Sequence, residues 1–109
     1  MNLVTPRSNI NNSKLFFSKN ELTKILKCYA SGVSKGNWKD YAIDFNKNEA
    51  IFFIYKHSWA TPYCVLKKSK EVKKRKITYG LLLSNTKKSN FSDIDKLIKY
   101  LRRKQLKII

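Results

Sequence analysis

The period of the apolar residues changes twice along this chain, and that change restricts the fold more than any other feature. Leu22, Ile25, Leu26, Tyr29 and Val33 recur at helical spacing. Tyr41, Ile43 and Phe45 then alternate with Ala42, Asp44 and Asn46 at strand spacing. Ile94, Leu97, Ile98, Leu101 and Ile108 return to the helical period. A helix with one apolar stripe and a strand with one apolar face must each be buried against another element. The expected fold is α+β: an N-terminal helix, a four-stranded antiparallel meander and a C-terminal helix, in two layers with both helices on one sheet face.

Local signals set the boundaries. Ser18 and Glu21 form an S-x-x-E capping box, Phe17 stands at N′ where it can staple onto Leu22, and Gly32 supplies a left-handed stop. The first helix is thus predicted over about 19–31. Gly36-Asn37 turns the chain into the first strand, and Asn46 to Glu49 turns it into a second, from about Ala50 to Ser58. Hairpin parity places Ala50, Phe52 and Ile54 with Ile43 and Phe45, and leaves Ile51, Phe53, Tyr55 and His57 on the other face. Trp59 to Pro62 connects to a third strand, Tyr63 to Lys68, and Ile77 to Ser84 makes a fourth. The last helix opens near Ser92, with Asp93 and Asp95 in its first turn and Arg102, Arg103, Lys104 and Lys107 at its C-terminal end, where the helix dipole favours each sign. Residues 1–14 are Asn/Ser-rich and without period and read as a flexible arm; 15–109 read as a single domain.

Twenty-four lysines and arginines stand against seven acidic residues, a net charge of +17. Such an excess attracts polyanions: nucleic acid, an anionic membrane or an acidic protein. A compositional cause competes, because Lys, Asn and Ile, the residues with the most A/T-rich codons, supply 40 of the 109 positions. Some of the charge is then drift carried on solvated faces. The N-terminus lacks the apolar stretch of about 7–15 residues of a secretory signal, and the longest apolar run is Ala50 to Tyr55. A cytoplasmic protein with no membrane partner is expected. Cys28 and Cys64 have neither metal spacing nor a disulfide pattern and are expected to be reduced thiols.

Catalysis is hard to staff. Glu21, Asp93 and Asp95 serve helix starts, Glu49 and Glu71 lie in turns or loops, and the remaining acids, Asp40 and Asp44, share the polar face of the first strand without a histidine near them. His57 is the sole histidine, and neither cysteine sits in a nucleophile motif. Three glycines make no phosphate-cradling loop. No enzyme activity, small-molecule substrate, cofactor or metal site is inferred.

Nucleic-acid binding is better supplied. In KKSKEVKKRK, residues 67–76, seven cations (Lys67, Lys68, Lys70, Lys73, Lys74, Arg75 and Lys76) accompany one carboxylate in the connection between the third and fourth strands. Alone this segment is a solvated loop. Aligned in space with Arg102, Arg103 and Lys104 it becomes a phosphate-binding surface that positions a backbone but reads no bases. Phe53, Tyr55 and Trp59 on the uncovered sheet face suit base stacking, but such a face equally suits a homodimer or the chain's own arm, and we rank those above stacking. The element order is also analogous, at fold level only, to the double-stranded RNA-binding domain. That domain carries a lysine cluster at the start of its last helix, where this chain has Asp93 and Asp95, with Lys87 and Lys88 just before.

The stretch Gly36-Asn37-Trp38-Lys39-Asp40-Tyr41-Ala42-Ile43, with Glu21-Leu22, Ile25-Leu26, Ala50-x-Phe52 and Pro62-Tyr63, resembles a family of small alphaproteobacterial proteins catalogued as domain of unknown function 2794, from about Phe17 to Leu101. The resemblance implies a stand-alone bacterial cytoplasmic domain and carries over no activity. Where the family suggests Lys-Pro the chain has Lys67-Lys68-Ser69-Lys70, and where it suggests Arg-Gly it has Lys87-Lys88, both additions of charge in loops. Gly36, Trp38, Asp40 and Tyr41 read as structural: Asp40 accepts from the Gly36 turn, Trp38 plugs the gap between helix and sheet, and Tyr41 begins the buried face. The expectation is a small basic non-enzymatic module that contacts RNA or a ribonucleoprotein through phosphates; the alternative is a protein-interaction or homodimer module using the aromatic sheet face.

Overall fold

Helical spacing and capping chemistry start the first helix where they predict it. In the computed structural model, which describes residues 14–57, 61–84 and 88–107 (the last three by backbone alone), α1 spans Lys19–Ser34. Ser18 Oγ accepts the Glu21 N–H at 3.1 Å, and the Ser18 N–H donates to Glu21 Oε1 at 2.7 Å. Both halves of the capping box are therefore made. Phe17 is buried in the core, and Leu22 packs against that core.

The end of α1 differs from expectation. Gly32 does not stop the helix, which runs on to Ser34 and leaves Val33 on the exposed side. Gly36, at φ 79°, takes the left-handed position instead. Its N–H donates to Val33 O at 2.9 Å and the Asn37 N–H donates to Gly32 O at 2.8 Å, the paired bonds of a Schellman motif. Gly32 has a different task. A Cβ there would lie 2.1 Å from Trp38 Cε3, so only glycine lets the indole lie flat on the helix backbone.

Five strands follow: β1 Asp40–Phe45, β2 Glu49–Tyr55, β3 Cys64–Glu71, β4 Lys76–Leu83 and β5 Ser89–Phe91, then helix α2 Ile94–Lys107. They form one antiparallel sheet in the order β1-β2-β3-β4-β5. The α+β class stands, but among the described residues the meander has five strands where alternation predicts four. β5 is three residues long, too short to show a period, and is defined by pairing of Phe91 with Tyr79. Ile108, residues 1–13 of the arm expected to be flexible, Trp59 and Lys87 lie outside the described residues.

The register confirms the parity argument: Ile43 faces Phe52 and Phe45 faces Ala50. Phe52 continues to Leu66 and Leu81 across the sheet. These side chains, with Cys64 and Leu83, meet Ile25 and Cys28 of α1 and Ile94, Leu97 and Leu101 of α2 in one core. Both helices thus cover the same face. Lys24 near the start of α1 pairs with Asp95 near the start of α2 at 2.7 Å, and Arg102 acts on Cys28, so the helices run side by side in the same direction.

Candidate nucleic-acid interface

The basic segment is strand for half its length. β3 continues through Glu71 and β4 resumes at Lys76, so only Val72, Lys73, Lys74 and Arg75 form the turn. Arg75 takes the left-handed conformation at φ 49°. The expected loop is therefore a β-hairpin, and strand alternation sends its cations to opposite faces. Lys68 follows Cys64 and Leu66 onto the helix-covered face, where its Nζ donates to Glu21 Oε1 at 2.8 Å and to Phe16 O at 2.9 Å. Lys67 lies on the open face, 3.4 Å from Glu49 Oε2. Lys70, Lys73, Lys74, Arg75 and Lys76 remain exposed, with Glu71 the one acid among them. The Lys70 N–H donates to Asn48 O, the limit of β2's reach, so residues 71–76 stand beyond the neighbouring strand.

Arg102, Arg103 and Lys104 do not join this tip. Glu21 beside Lys68 and Tyr79, and Asp93 beside Tyr79, fix the starts of both helices at the hairpin end of the sheet. From there α2 rises 1.5 Å per residue away from the tip while the hairpin extends the other way, which leaves roughly 25 Å between the two groups. Arg102 and Arg103 are exposed, and Lys104 lies 5.3 Å over the Tyr100 ring. The two groups form separate patches.

On the open sheet face Ala42, Phe53, Val65 and Leu82 fall in one row across β1 to β4. Phe53 is half-buried and Leu82 is 45 % exposed, but Tyr55 is buried. Of the predicted aromatic face, Phe53 is thus the accessible ring among the described residues. His57 is exposed.

Trp38 of the motif is part of the core. Trp38 is 3 % exposed and stacks on Tyr29 at 6.3 Å, and its Nε1 has no hydrogen-bond partner among the described residues. Asp40 departs from expectation: its Oδ1 accepts the N–H of Tyr41, its own neighbour, at 2.9 Å, and not a donor from the Gly36 turn. Asp44 does the same for Phe45. Tyr41 stacks on Phe52 at 5.0 Å and stays 38 % exposed. Cys28 and Cys64 are free and buried. Burial pushes both thiols up; Arg102 and Lys35 oppose it at Cys28, whereas Cys28 adds to it at Cys64. Thiols so shifted are poor nucleophiles at neutral pH.

Sequence reasoning missed the buried polar cluster at the hairpin base. Glu21 Oε1 takes Lys68 Nζ and the Ser18 N–H, and Tyr79 Oη donates to Oε2. Burial alone would raise the Glu21 carboxyl, but the hydrogen bonds from Lys68, Tyr79 and Ser18 outweigh it and hold the group below its ordinary value. Burial, and then the bond to Glu21, push the Tyr79 phenol up. Lys68 carries no local mark inside a lysine run, though counting two residues on from Leu66 would have turned it inward.

A family model described as Protein of unknown function (DUF2794) matches residues 15–89. The chain belongs to this family. No curated protein and no solved structure matches it. The DUF2794 match takes in the capping box, the Trp38 motif and the whole basic hairpin, and ends before α2 with its Arg102 to Lys104 patch. Among the described residues no helix is long and apolar enough to cross a membrane, and no three His, Cys, Asp or Glu side chains group as metal ligands.

Proposed function

We propose that this DUF2794 protein is a non-enzymatic nucleic-acid-binding module that contacts RNA or a ribonucleoprotein through phosphates, with the β3–β4 hairpin tip as its contact. One observation carries the reading: Lys73, Lys74, Arg75 and Lys76 stand beyond the reach of β2, next to exposed Lys70 at its edge, with Glu71 as the one carboxylate among them. Lysines supply point charges and Arg75 a forked donor, a set that grips a phosphate backbone without reading bases. Each phosphate contact releases counterions, so the affinity falls steeply with salt. Titration of mixed-sequence RNA at physiological salt is expected to show binding, and Lys73→Gln/Lys74→Gln/Arg75→Gln to weaken it at least tenfold. The log-log salt slope should shrink by about 3. Undetectable binding, or a triple variant that binds as wild type does, ends the proposal.

A second reading rests on the row Ala42, Phe53, Val65 and Leu82, which suits a homodimer or a protein partner. Sedimentation equilibrium tests the homodimer: association that Leu82→Lys abolishes favours it, and a mass independent of concentration removes it.

A further inference from the structure

We infer that the seam between α1 and α2 is a second anion site, separate from the hairpin, shaped for a ligand bearing several phosphate groups. The seam opens as a groove of about 300 Å³ lined by Lys24, Lys27, Asp95, Ile98, Lys99 and Arg102. Each helix contributes two cations three residues apart, Lys24 with Lys27 and Lys99 with Arg102, a spacing that sets them on one face. Parallel packing turns both pairs into the same groove. The lining holds four cations and one carboxylate, net +3, and that carboxylate is already engaged by Lys24 at 2.7 Å. Like charges three residues apart repel on an isolated helix, and here two such pairs are brought together by tertiary packing. A bound polyanion relieves that repulsion; a monoanion leaves most of it in place.

The walls also indicate chemistry. Arg102 lines the groove and lies near enough to Cys28 of α1 for its charge to act on the thiol. There it presents a fork suited to two oxygens of one phosphate, with lysine point charges for its neighbours. Ile98, 9 % exposed, forms an apolar floor. Among the described residues the lining has no aromatic ring on which a base could stack, which favours recognition of phosphates alone. A volume at the small end of ligand pockets admits a triphosphate-sized group or a few consecutive backbone phosphates.

This inference goes beyond the hairpin reading and does not depend on it. The test uses the full chain and inorganic tripolyphosphate, titrated calorimetrically at about 0.15 M salt, where exposed charges are screened over about 8 Å. Saturable 1:1 binding is expected, with Lys27→Gln/Arg102→Gln weakening it at least tenfold and Lys73→Gln/Lys74→Gln/Arg75→Gln leaving it unchanged. Both groove side chains are exposed, and removing mutual repulsion should leave the unliganded Tm no lower than wild type. Absence of saturable binding, wild-type affinity in the groove variant, or equal losses in both variants overturns the site. A single-stranded RNA of twelve nucleotides then identifies the phosphate source. RNA that displaces tripolyphosphate from the wild-type protein assigns a nucleic-acid backbone; tripolyphosphate binding indifferent to RNA assigns a free phosphorylated metabolite. Loss of RNA binding in the hairpin variant, with tripolyphosphate binding intact, separates this site from the hairpin.

Discussion

Gly32→Ala is expected to lower the unfolding free energy by ~2–4 kcal/mol, although Gly to Ala within a helix ordinarily gains up to about 1 kcal/mol. The added Cβ would stand 2.1 Å from Trp38 Cε3 and 2.5 Å from Cδ2. The indole cannot slide away cheaply. Trp38 is 3 % exposed, and the chain leading to it is tied back to the helix by the Asn37 N–H to Gly32 O at 2.8 Å and the Trp38 N–H to the same oxygen at 3.3 Å. Either the ring leaves the core or the end of α1 moves, and both give up packing around Tyr29 and Phe52. Thermal unfolding should show a Tm roughly 10–20 °C lower. A double-mutant cycle isolates the cause: in a Trp38→Ala background the same Gly32→Ala change becomes neutral or stabilising. A single variant as stable as wild type means that the ring does not rest on the glycine.

The same residue marks where local reasoning ends. Gly32 follows a helical stripe and resembles a helix stop, and only the position of Trp38, six residues on, shows that it is a packing notch. Elements specified by nearby chemistry were legible. The capping box set the start of α1, and parity across the β1–β2 turn paired Ile43 with Phe52. β5 was not legible, because three residues cannot display a period and its identity rests on Tyr79, twelve positions away. The charge map divides in the same way. KKSKEVKKRK reads as one patch along the chain, yet strand alternation directs Lys68 inward and Lys67 to the opposite face, leaving the tip cations outside. Its alignment with Arg102 to Lys104 depended on the direction of α2, which composition does not encode. Conversely, Lys24, Lys27 and Lys99 look like ordinary solvated helix lysines until the two helices are laid side by side.

Lys68→Met should cost ~3 kcal/mol near neutral pH, far more than any other lysine replacement in the basic hairpin, because it leaves a buried carboxylate without its cation. The side chains of Lys68 and Glu21 are 11 % and 12 % exposed, whereas Lys73, Lys74 and Lys76 are exposed and their replacement should stay within about 0.5 kcal/mol. The deficit should also depend on pH in a defined direction. In the wild-type protein the folded Glu21 carboxyl lies below its ordinary value. Its stabilising contribution is therefore complete above the usual glutamate range, about 4.3, and is lost as the pH falls through the lower folded value. Tyr79 bounds the cluster on the alkaline side: with its phenol pushed up, its contribution is full below the usual tyrosine range, about 10, and is lost as the pH rises beyond it. Removing Lys68 deletes the strongest influence that holds the Glu21 carboxyl down and leaves the burial that drives it up. The variant then protonates Glu21 more readily, and a neutral carboxylic acid no longer needs the ammonium group. Urea unfolding of both proteins from pH 7 to pH 4 should show the gap narrowing as the medium becomes more acidic. A deficit of constant size across that range would mean that Lys68 acts through the packing of its methylene stem and not through the charge of Glu21.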